Sequence, residues 1–194
     1  MNSREKILAA VKKSQPAPRE LPALDFPLQD GVDVQEKFIA ILSSIGGIAH
    51  IVSSYADVET LVEQNYSDAK RIISLVPEVK SRGQHFEPGN DPHLLEDVDL
   101  TVIRAHLGVA ENAAVWVTDE MLPERVLPFI TQNLAVVIKR QDILQLMHEA
   151  YERIGSEDYG FGVFIAGPSK TADIEQSLVL GAHGSKTMRI FILQ

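Results

Sequence analysis

Residues 159–184 read Tyr-Gly-Phe-Gly-Val-Phe-Ile-Ala-Gly-Pro-Ser-Lys-Thr-Ala-Asp-Ile-Glu-Gln-Ser-Leu-Val-Leu-Gly-Ala-His-Gly. The run from Phe161 to Ala166 is almost entirely apolar and lies between two glycines, which predicts a parallel strand buried on both faces. Gly167 and Pro168 end this strand. The stretch therefore predicts a buried strand that stops at a tight turn.

A helix is predicted after this turn. Ser169 or Thr171 can cap it, and Asp173 and Glu175 place negative charge in the first turn, where the helix dipole favours it. Such a unit brings backbone N–H groups and a hydroxyl to the carboxyl edge of a sheet, where open α/β folds bind ligands. We expect a small anionic ligand there. The alternative is that Ser169 and Thr171 only cap the helix and that Asp173 only balances its dipole.

The composition excludes several classes of protein. A formal net charge of −9 and a pI near 5.1 argue against nucleic-acid binding, which needs a basic face. There is no cysteine, so these residues supply no thiolate to zinc or to an iron–sulfur cluster. Residues 1–13 do not resemble a secretory signal, and no apolar run approaches the roughly 20 residues that a membrane helix needs. We expect a soluble, cytoplasmic protein with no membrane span.

The pattern of apolar residues predicts strands that alternate with helices. The predicted strands are 48–52, 71–76, 99–105, 113–118, 134–139, 161–166 and 188–193. The predicted helices are 33–45, 57–64, 122–132 and 142–154, with caps at Asp33 and Asp142. We expect strand 113–118 to lie beside strand 99–105. This alternation is typical of an α/β fold with a largely parallel sheet flanked by helices.

Residues 1–31 are predicted to precede a single α/β domain over residues 32–194. Ser3 can cap a short helix, and four prolines between residues 16 and 27 then give an extended arm. The arm is either a mobile leader or a segment that packs on another subunit, which would make the protein a homo-oligomer. Its apolar residues are Leu21, Leu24, Phe26 and Leu28.

The segment 77–97 is polar and interrupted by proline and glycine, and it predicts a long loop. We interpret it as a mobile flap over the ligand site. His85 and His93 lie on it, eight residues apart and without a third candidate ligand nearby. This spacing favours ordinary surface histidines over a metal site, so no metal is expected.

Residues 164–175, Phe-Ile-Ala-Gly-Pro-Ser-Lys-Thr-Ala-Asp-Ile-Glu, are followed by Leu-Val-Leu-Gly-Ala-His-Gly at 178–184 and by a terminal apolar strand. Together they resemble the C-terminal signature of the LutC/YkgG family of lactate-utilisation proteins, the LUD domain. The resemblance implies a fold similar to the NagB/RpiA/CoA-transferase group. It also implies that the protein acts with an iron–sulfur partner and a cysteine-rich partner in oxidising L-lactate to pyruvate. The lack of cysteine agrees with that division of labour.

The candidate ligand-binding residues lie in this signature, and we add two candidate acids or bases. The ligand-binding set is Gly167, Pro168, Ser169, Lys170, Thr171, Ala172, Glu175 and His183, and the catalytic candidates are Glu111 and Asp173. Ala110 and Glu111 fit the Ala-Glu-Thr-Gly pattern of the family, whereas Asn112 and Ala113 depart from it. Glu111 is otherwise a solvated loop carboxylate. His183 either faces the site or caps a helix end.

Three functions stay open at this point. The first is a non-redox subunit of an iron–sulfur-dependent lactate oxidation system that binds a small anion. The second is a self-sufficient enzyme acting on a nucleotide, folate or sugar phosphate, with Glu111 or Asp173 as acid or base and Lys170 as a phosphate contact. The third is a regulatory ligand-binding module. No Gly-x-Gly-x-x-Gly fingerprint and no Gly-x-Ser-x-Gly elbow occur in the chain.

Overall fold

The computed structural model of the chain describes residues 2–20, 22, 26, 28, 30–89, 91–156, 158–170, 181 and 183–194. The helix predicted after Ser169 lies outside these residues, and so do Leu21 and Leu24 of the arm. The described α-helices are α1 (Ser3–Lys13), α2 (Val34–Ser44), α3 (Tyr55–Asn65), α4 (Leu127–Ile130) and α5 (Met147–Ile154). The described strands are β1 (Ile48–Val52), β2 (Ile72–Ser74), β3 (Leu100–Arg104), β4 (Leu107–Val109), β5 (Ala114–Thr118), β6 (Asn133–Lys139), β7 (Ile143–Leu144), β8 (Gly162–Ala166) and β9 (Thr187–Leu193).

A parallel sheet forms the centre of the molecule, with strand order β1-β9-β6-β3-β2. β9, the last strand in the chain, lies between β1 and β6, with Ile190 opposite both Ala49 and Val136. Its central position explains why the run 190–193 is apolar on both faces, whereas Arg189 contacts His50 and the Tyr66 ring. The predicted α/β fold with a largely parallel sheet is confirmed.

A second sheet has the order β7-β4-β5-β8, and its β4–β5 and β5–β8 pairs are antiparallel. The prediction that residues 161–166 form a parallel strand buried on both faces is therefore wrong. β8 pairs antiparallel with β5 and is only half-buried. The prediction that 113–118 lies beside 99–105 is also wrong, because β5 pairs with β4 and β8. Apolar runs reveal burial, but they do not reveal which strand is the neighbour.

The helices and the second sheet cover both faces of the parallel sheet. α3 packs on one face, where Val58 and Val62 join a core cluster with Val102 and Phe191. α2 and the inner face of the second sheet cover the other, in a cluster that includes Phe38, Leu42, Val115, Val117, Val136 and Ile190. α5 packs on the outer face of the second sheet against Trp116. The order of layers is therefore α3, parallel sheet, second sheet with α2, and α5.

Two predicted helices are much shorter than expected. Within residues 122–132 only α4 is α-helical, and Pro128 lies in its first turn, where a missing N–H is tolerated. Asp142 does not cap a helix, because α5 begins five residues later, at Met147; its carboxylate pairs with Arg153 Nη2 at 2.6 Å. Residues 140–142 form a 3₁₀ turn that leads into β7, and α5 begins only at Met147. The Glu149 carboxylate accepts the backbone N–H of Leu146 at that helix start.

The N-terminal helix α1 lies at the surface, with no buried residue. Its cap is Asn2, whose side chain accepts the N–H of Glu5 at 2.9 Å, and not Ser3 as predicted. In the arm, the Phe26 ring stacks on the ring of His148 of the same chain, with 4.0 Å between the centroids. None of the described helices is both long and apolar enough to cross a membrane.

Candidate functional site

The turn after β8 is shaped by Gly167, whose φ is +71°. A Cβ at this position would lie 3.0 Å from two side-chain carbons of Ile45, at the end of α2. Only glycine combines this left-handed backbone with so close an approach. Pro168 then packs near Gly46, with its Cγ 3.5 Å from where a Gly46 Cβ would be. The turn is therefore pressed against the end of α2.

Ser169 joins this turn to the segment that precedes β9. Its N–H donates to the carbonyl oxygen of Ser185 at 2.8 Å, and its own carbonyl accepts the N–H of Gly181 at 3.2 Å. Gly184 allows this contact, because a Cβ there would lie 3.2 Å from the Cβ of Ser169. The amide of Ser169 is thus already paired. It is therefore not one of the free backbone N–H groups that were expected in this stretch, and the amides of residues 171–180 lie outside the described residues.

An open cavity of about 470 Å³ lies between these two segments. Its polar part is formed by Ser169, Lys170, His183 and Ser185. Its apolar part includes Ile45, Pro128, Phe129 and Phe164. We call it the turn cavity. It combines hydroxyls, one ammonium group and one imidazole with an apolar wall, which suits a small ligand with an anionic end and an apolar end.

The structure brings part of the predicted ligand set together in the turn cavity. Gly167, Pro168, Ser169, Lys170 and His183 all line it. The predicted residues Thr171, Ala172, Asp173 and Glu175 lie outside the described residues. The apolar wall was not predicted from sequence, because Ile45 and Phe129 come from distant elements.

Glu111 lies elsewhere, in the turn between β4 and β5. Its Oε2 accepts the backbone N–H of Met147 at 2.9 Å, at the first residue of α5. It is not among the described residues that line the turn cavity. Nearby, Ala113 is buried and has a φ of +56°. Ala113 thus has a left-handed backbone at the position where the Ala-Glu-Thr-Gly pattern, given above for the LutC/YkgG family, has glycine.

The 77–97 segment does not form a flap over the turn cavity, since no described residue of it lines that cavity. It is held elsewhere by Arg71, which is 5% exposed, pairs with Asp97 and donates to the carbonyl of Leu94 at 2.6 Å. His85 and His93 are both exposed. In the ranges that the structure describes, no three His, Asp or Glu side chains are grouped to hold a metal ion.

Polar residues that sequence analysis missed lie at the carboxyl ends of β3 and β6. Arg104 and Lys139 are the last residues of these adjacent parallel strands, and His106 follows shortly after Arg104. The His106 Nε2 lies 2.8 Å from the hydroxyl of the buried Thr118, which orients the ring. The available signal was a basic residue near the end of each of the predicted strands 99–105 and 134–139, but the sequence did not show that these strands are adjacent.

Comparison with known proteins places these features in a family. The sequence model of the LUD domain matches residues 90–193, which include both the turn after β8 and β9. Two curated relatives are each called Lactate utilization protein C. The protein from Bacillus pumilus is 29% identical over 97 residues, and the one from Oceanobacillus iheyensis is 24% identical over 98 residues. Each match covers 47% of this chain and only 40% or 42% of the relative, so the match spans about two fifths of those proteins.

A solved structure shares the fold. The crystal structure of a DUF162 family protein from Deinococcus radiodurans has a TM-score of 0.68 and 15% sequence identity to this chain. The alignment covers 87% of this chain and 100% of that one. At this identity the similarity concerns the fold, including the parallel sheet and its flanking helices.

Proposed function

Because the chain belongs to the LUD domain family, we propose that it is a non-redox subunit of an iron–sulfur-dependent system that oxidises L-lactate to pyruvate in the cytoplasm. The curated relatives that it matches are named for lactate utilisation. The chain has no cysteine and so offers no thiolate to a cluster. In this proposal the iron–sulfur cluster and the electrons belong to partner proteins, one carrying iron–sulfur and one rich in cysteine.

The role proposed for this chain is to hold a small carboxylate in the turn cavity. The observation that carries this role is the pair of backbone hydrogen bonds made by Ser169, to Ser185 and Gly181. These bonds bring Lys170 and His183 to one cavity although they are distant in sequence. Because the amide of Ser169 is paired, the proposed contacts of the anion are the side chains of Lys170 and His183.

Lactate and pyruvate fit this division of the cavity into polar and apolar parts. Both carry a carboxylate, which accepts charge-assisted hydrogen bonds from an ammonium group such as that of Lys170. Both also carry a methyl group, which can contact Phe129 or Ile45 on the apolar wall. The exposure of Lys170 and His183 leaves the cavity open to exchange of a small acid.

Reconstitution tests the proposed function. The iron–sulfur and cysteine-rich proteins of the same system are assayed for lactate-dependent dye reduction, with and without this chain. We expect reduction to require this chain, and we expect no reduction by this chain alone. The proposal is wrong if the partner proteins oxidise lactate equally well without it.

A charge variant connects the activity with the turn cavity. Lys170→Ala should lower dye reduction at limiting lactate by about tenfold or more, since a charge-assisted hydrogen bond contributes about 1.5–3 kcal/mol. Lys12→Ala removes the same charge from the exposed helix α1 and should leave the rate unchanged. If both variants reduced the dye at the same rate, the turn cavity would have no part in the proposed activity.

A further inference from the structure

A second cavity, of about 270 Å³, lies at the carboxyl edge of the parallel sheet. β3 and β6 are adjacent and parallel, with Arg104 opposite Val137, and they end at Arg104 and Lys139. In open α/β folds this edge is where ligands bind. The residues used below line this cavity, which we call the edge cavity: Tyr55, Arg104, His106, Lys139, Asp142 and Arg153.

The edge cavity concentrates positive charge in an acidic protein. Its lining contains the cations Arg104, Lys139 and Arg153 and one carboxylate, Asp142, whereas the whole chain carries −9. Asp142 is paired with Arg153 through a contact of 2.6 Å. Lys139 forms no ion pair with any side chain in the described part of the chain. A concave surface lined by one sign of charge raises the local concentration of the opposite ion.

Arg104 is held in place before any ligand arrives. Its guanidinium lies over the Tyr55 ring, 5.1 Å from the centroid, and its Nη2 contacts the Glu78 carboxylate at 2.5 Å. Its Nε is buried and has no hydrogen-bond partner within the described residues. The Arg104 side chain as a whole is 36% exposed, so its guanidinium is accessible from the edge cavity although Nε is not. A guanidinium held in this way suits the fork geometry of carboxylate and phosphate oxygens.

A neighbouring cavity of about 220 Å³ shares His106 and Arg153 with the edge cavity and also reaches Trp116. His106 and Arg153 therefore border both cavities.

We propose that the edge cavity binds a compact oxyanion with two negative charges, at a site separate from the turn cavity. Glu78, outside the lining, offsets the charge of Arg104, and Asp142 offsets that of Arg153, so of these three cations Lys139 is the one left without an ion-pair partner among the residues that the structure describes. A dianion can contact Lys139 and a second cation at the same time, which a monocarboxylate such as lactate does less well. The shared chemistry is that of a phosphate group or a dicarboxylate. This site does not depend on the proposed role of the turn cavity in lactate oxidation.

Titration calorimetry of the full chain with inorganic phosphate and with malonate tests the proposal. We expect saturable binding of at least one of them at low ionic strength. The tighter of the two identifies the class of ligand. Sodium chloride at matched ionic strength controls for general screening by salt. If neither dianion binds, the proposal is overturned.

Two variants locate the site. Lys139→Ala, at an exposed position, should weaken dianion binding about tenfold, and Arg104→Gln should weaken it at least as much. Lys12→Ala, which removes an exposed charge on α1, should leave the dissociation constant unchanged. Because Lys139 is exposed, its variant should fold even if the Arg104 variant does not.

If Lys139→Ala binds the dianion as the wild type does, or if Lys170→Ala abolishes the binding, the site is not the edge cavity. Neither outcome decides the proposed function in lactate oxidation, which the reconstitution assay tests separately.

Discussion

The backbone N–H of Ser169 donates to the carbonyl oxygen of Ser185 at 2.8 Å, and this bond connects the turn after β8 to the chain just before β9. β8 belongs to the antiparallel sheet and β9 to the centre of the parallel one. The turn cavity therefore lies where the two sheets are linked. Its shape depends on the residues that hold that link.

Replacing Gly167 by alanine should destabilise the fold more than the same change at Gly89. Both residues have a positive φ, so each alanine costs about 1–2 kcal/mol of backbone strain. At Gly167 the new methyl would also meet Ile45 carbons at 3.0 Å, whereas at Gly89 nothing lies within 4 Å. Crowding should add about 1–3 kcal/mol at Gly167. Urea unfolding of both variants measures the difference, and equal losses would show that the turn is not pressed against α2.

Replacing Ala113 by glycine should change the stability by less than about 1 kcal/mol. Relief of the left-handed strain, about 1–2 kcal/mol, is opposed by the loss of a buried methyl, about 0.8 kcal/mol, and by the added freedom of the unfolded chain. Ala113→Val should cost at least about 2 kcal/mol, because a branched side chain is both strained and crowded there. Thermal unfolding of the two variants checks this order. A valine variant as stable as the glycine variant contradicts the conformation at Ala113.

Stability should fall at acidic pH partly because of His50. Its Nε2 lies 3.0 Å from Nη1 of Arg189, and since a guanidinium only donates, His50 accepts with a neutral ring. Burial, and then the charge of Arg189, hold the pKa of His50 below its usual 6.5. The unfolded chain therefore binds a proton at His50 more readily than the folded chain does. The contribution of neutral His50 to the free energy of unfolding is thus fully present above pH 6.5 and is lost as the pH falls below it.

Urea unfolding between about pH 8 and about pH 5 measures this effect. His50→Gln keeps an acceptor for Arg189 without a titrating group, so its stability should fall less than that of the wild type across this range. His85→Gln, at an exposed position, serves as the control and should follow the wild type. If the free energy of unfolding of all three proteins changed with pH to the same extent, His50 would not contribute to the acid sensitivity.

The parallel sheet could be predicted from sequence because its strands are largely apolar runs between polar segments. The runs 134–139 and 188–193 correspond to β6 and β9 to within one residue. Asp33 was correctly predicted as the cap of α2, since its carboxylate accepts the N–H groups of Gln35 and Glu36. These features are local, and local sequence determines them.

The second sheet could not be predicted because its identity depends on contacts between distant residues. β4 and β7 are too short to show a period, and β8 is apolar enough to pass for a central strand. The same limit applies to the sites. The signature indicated Ser169 and Lys170, but the apolar wall of the turn cavity and the edge cavity require knowledge of which strands and helices are neighbours.

Binding of a small carboxylate in the turn cavity is tested most directly by calorimetric titration of the wild type and Lys170→Ala with pyruvate and with L-lactate. We expect saturable binding of at least one acid to the wild type and about tenfold weaker binding to the variant. Absence of binding to the wild type, or equal affinities for the two proteins, would contradict the proposed role of Lys170 and of the cavity that it lines.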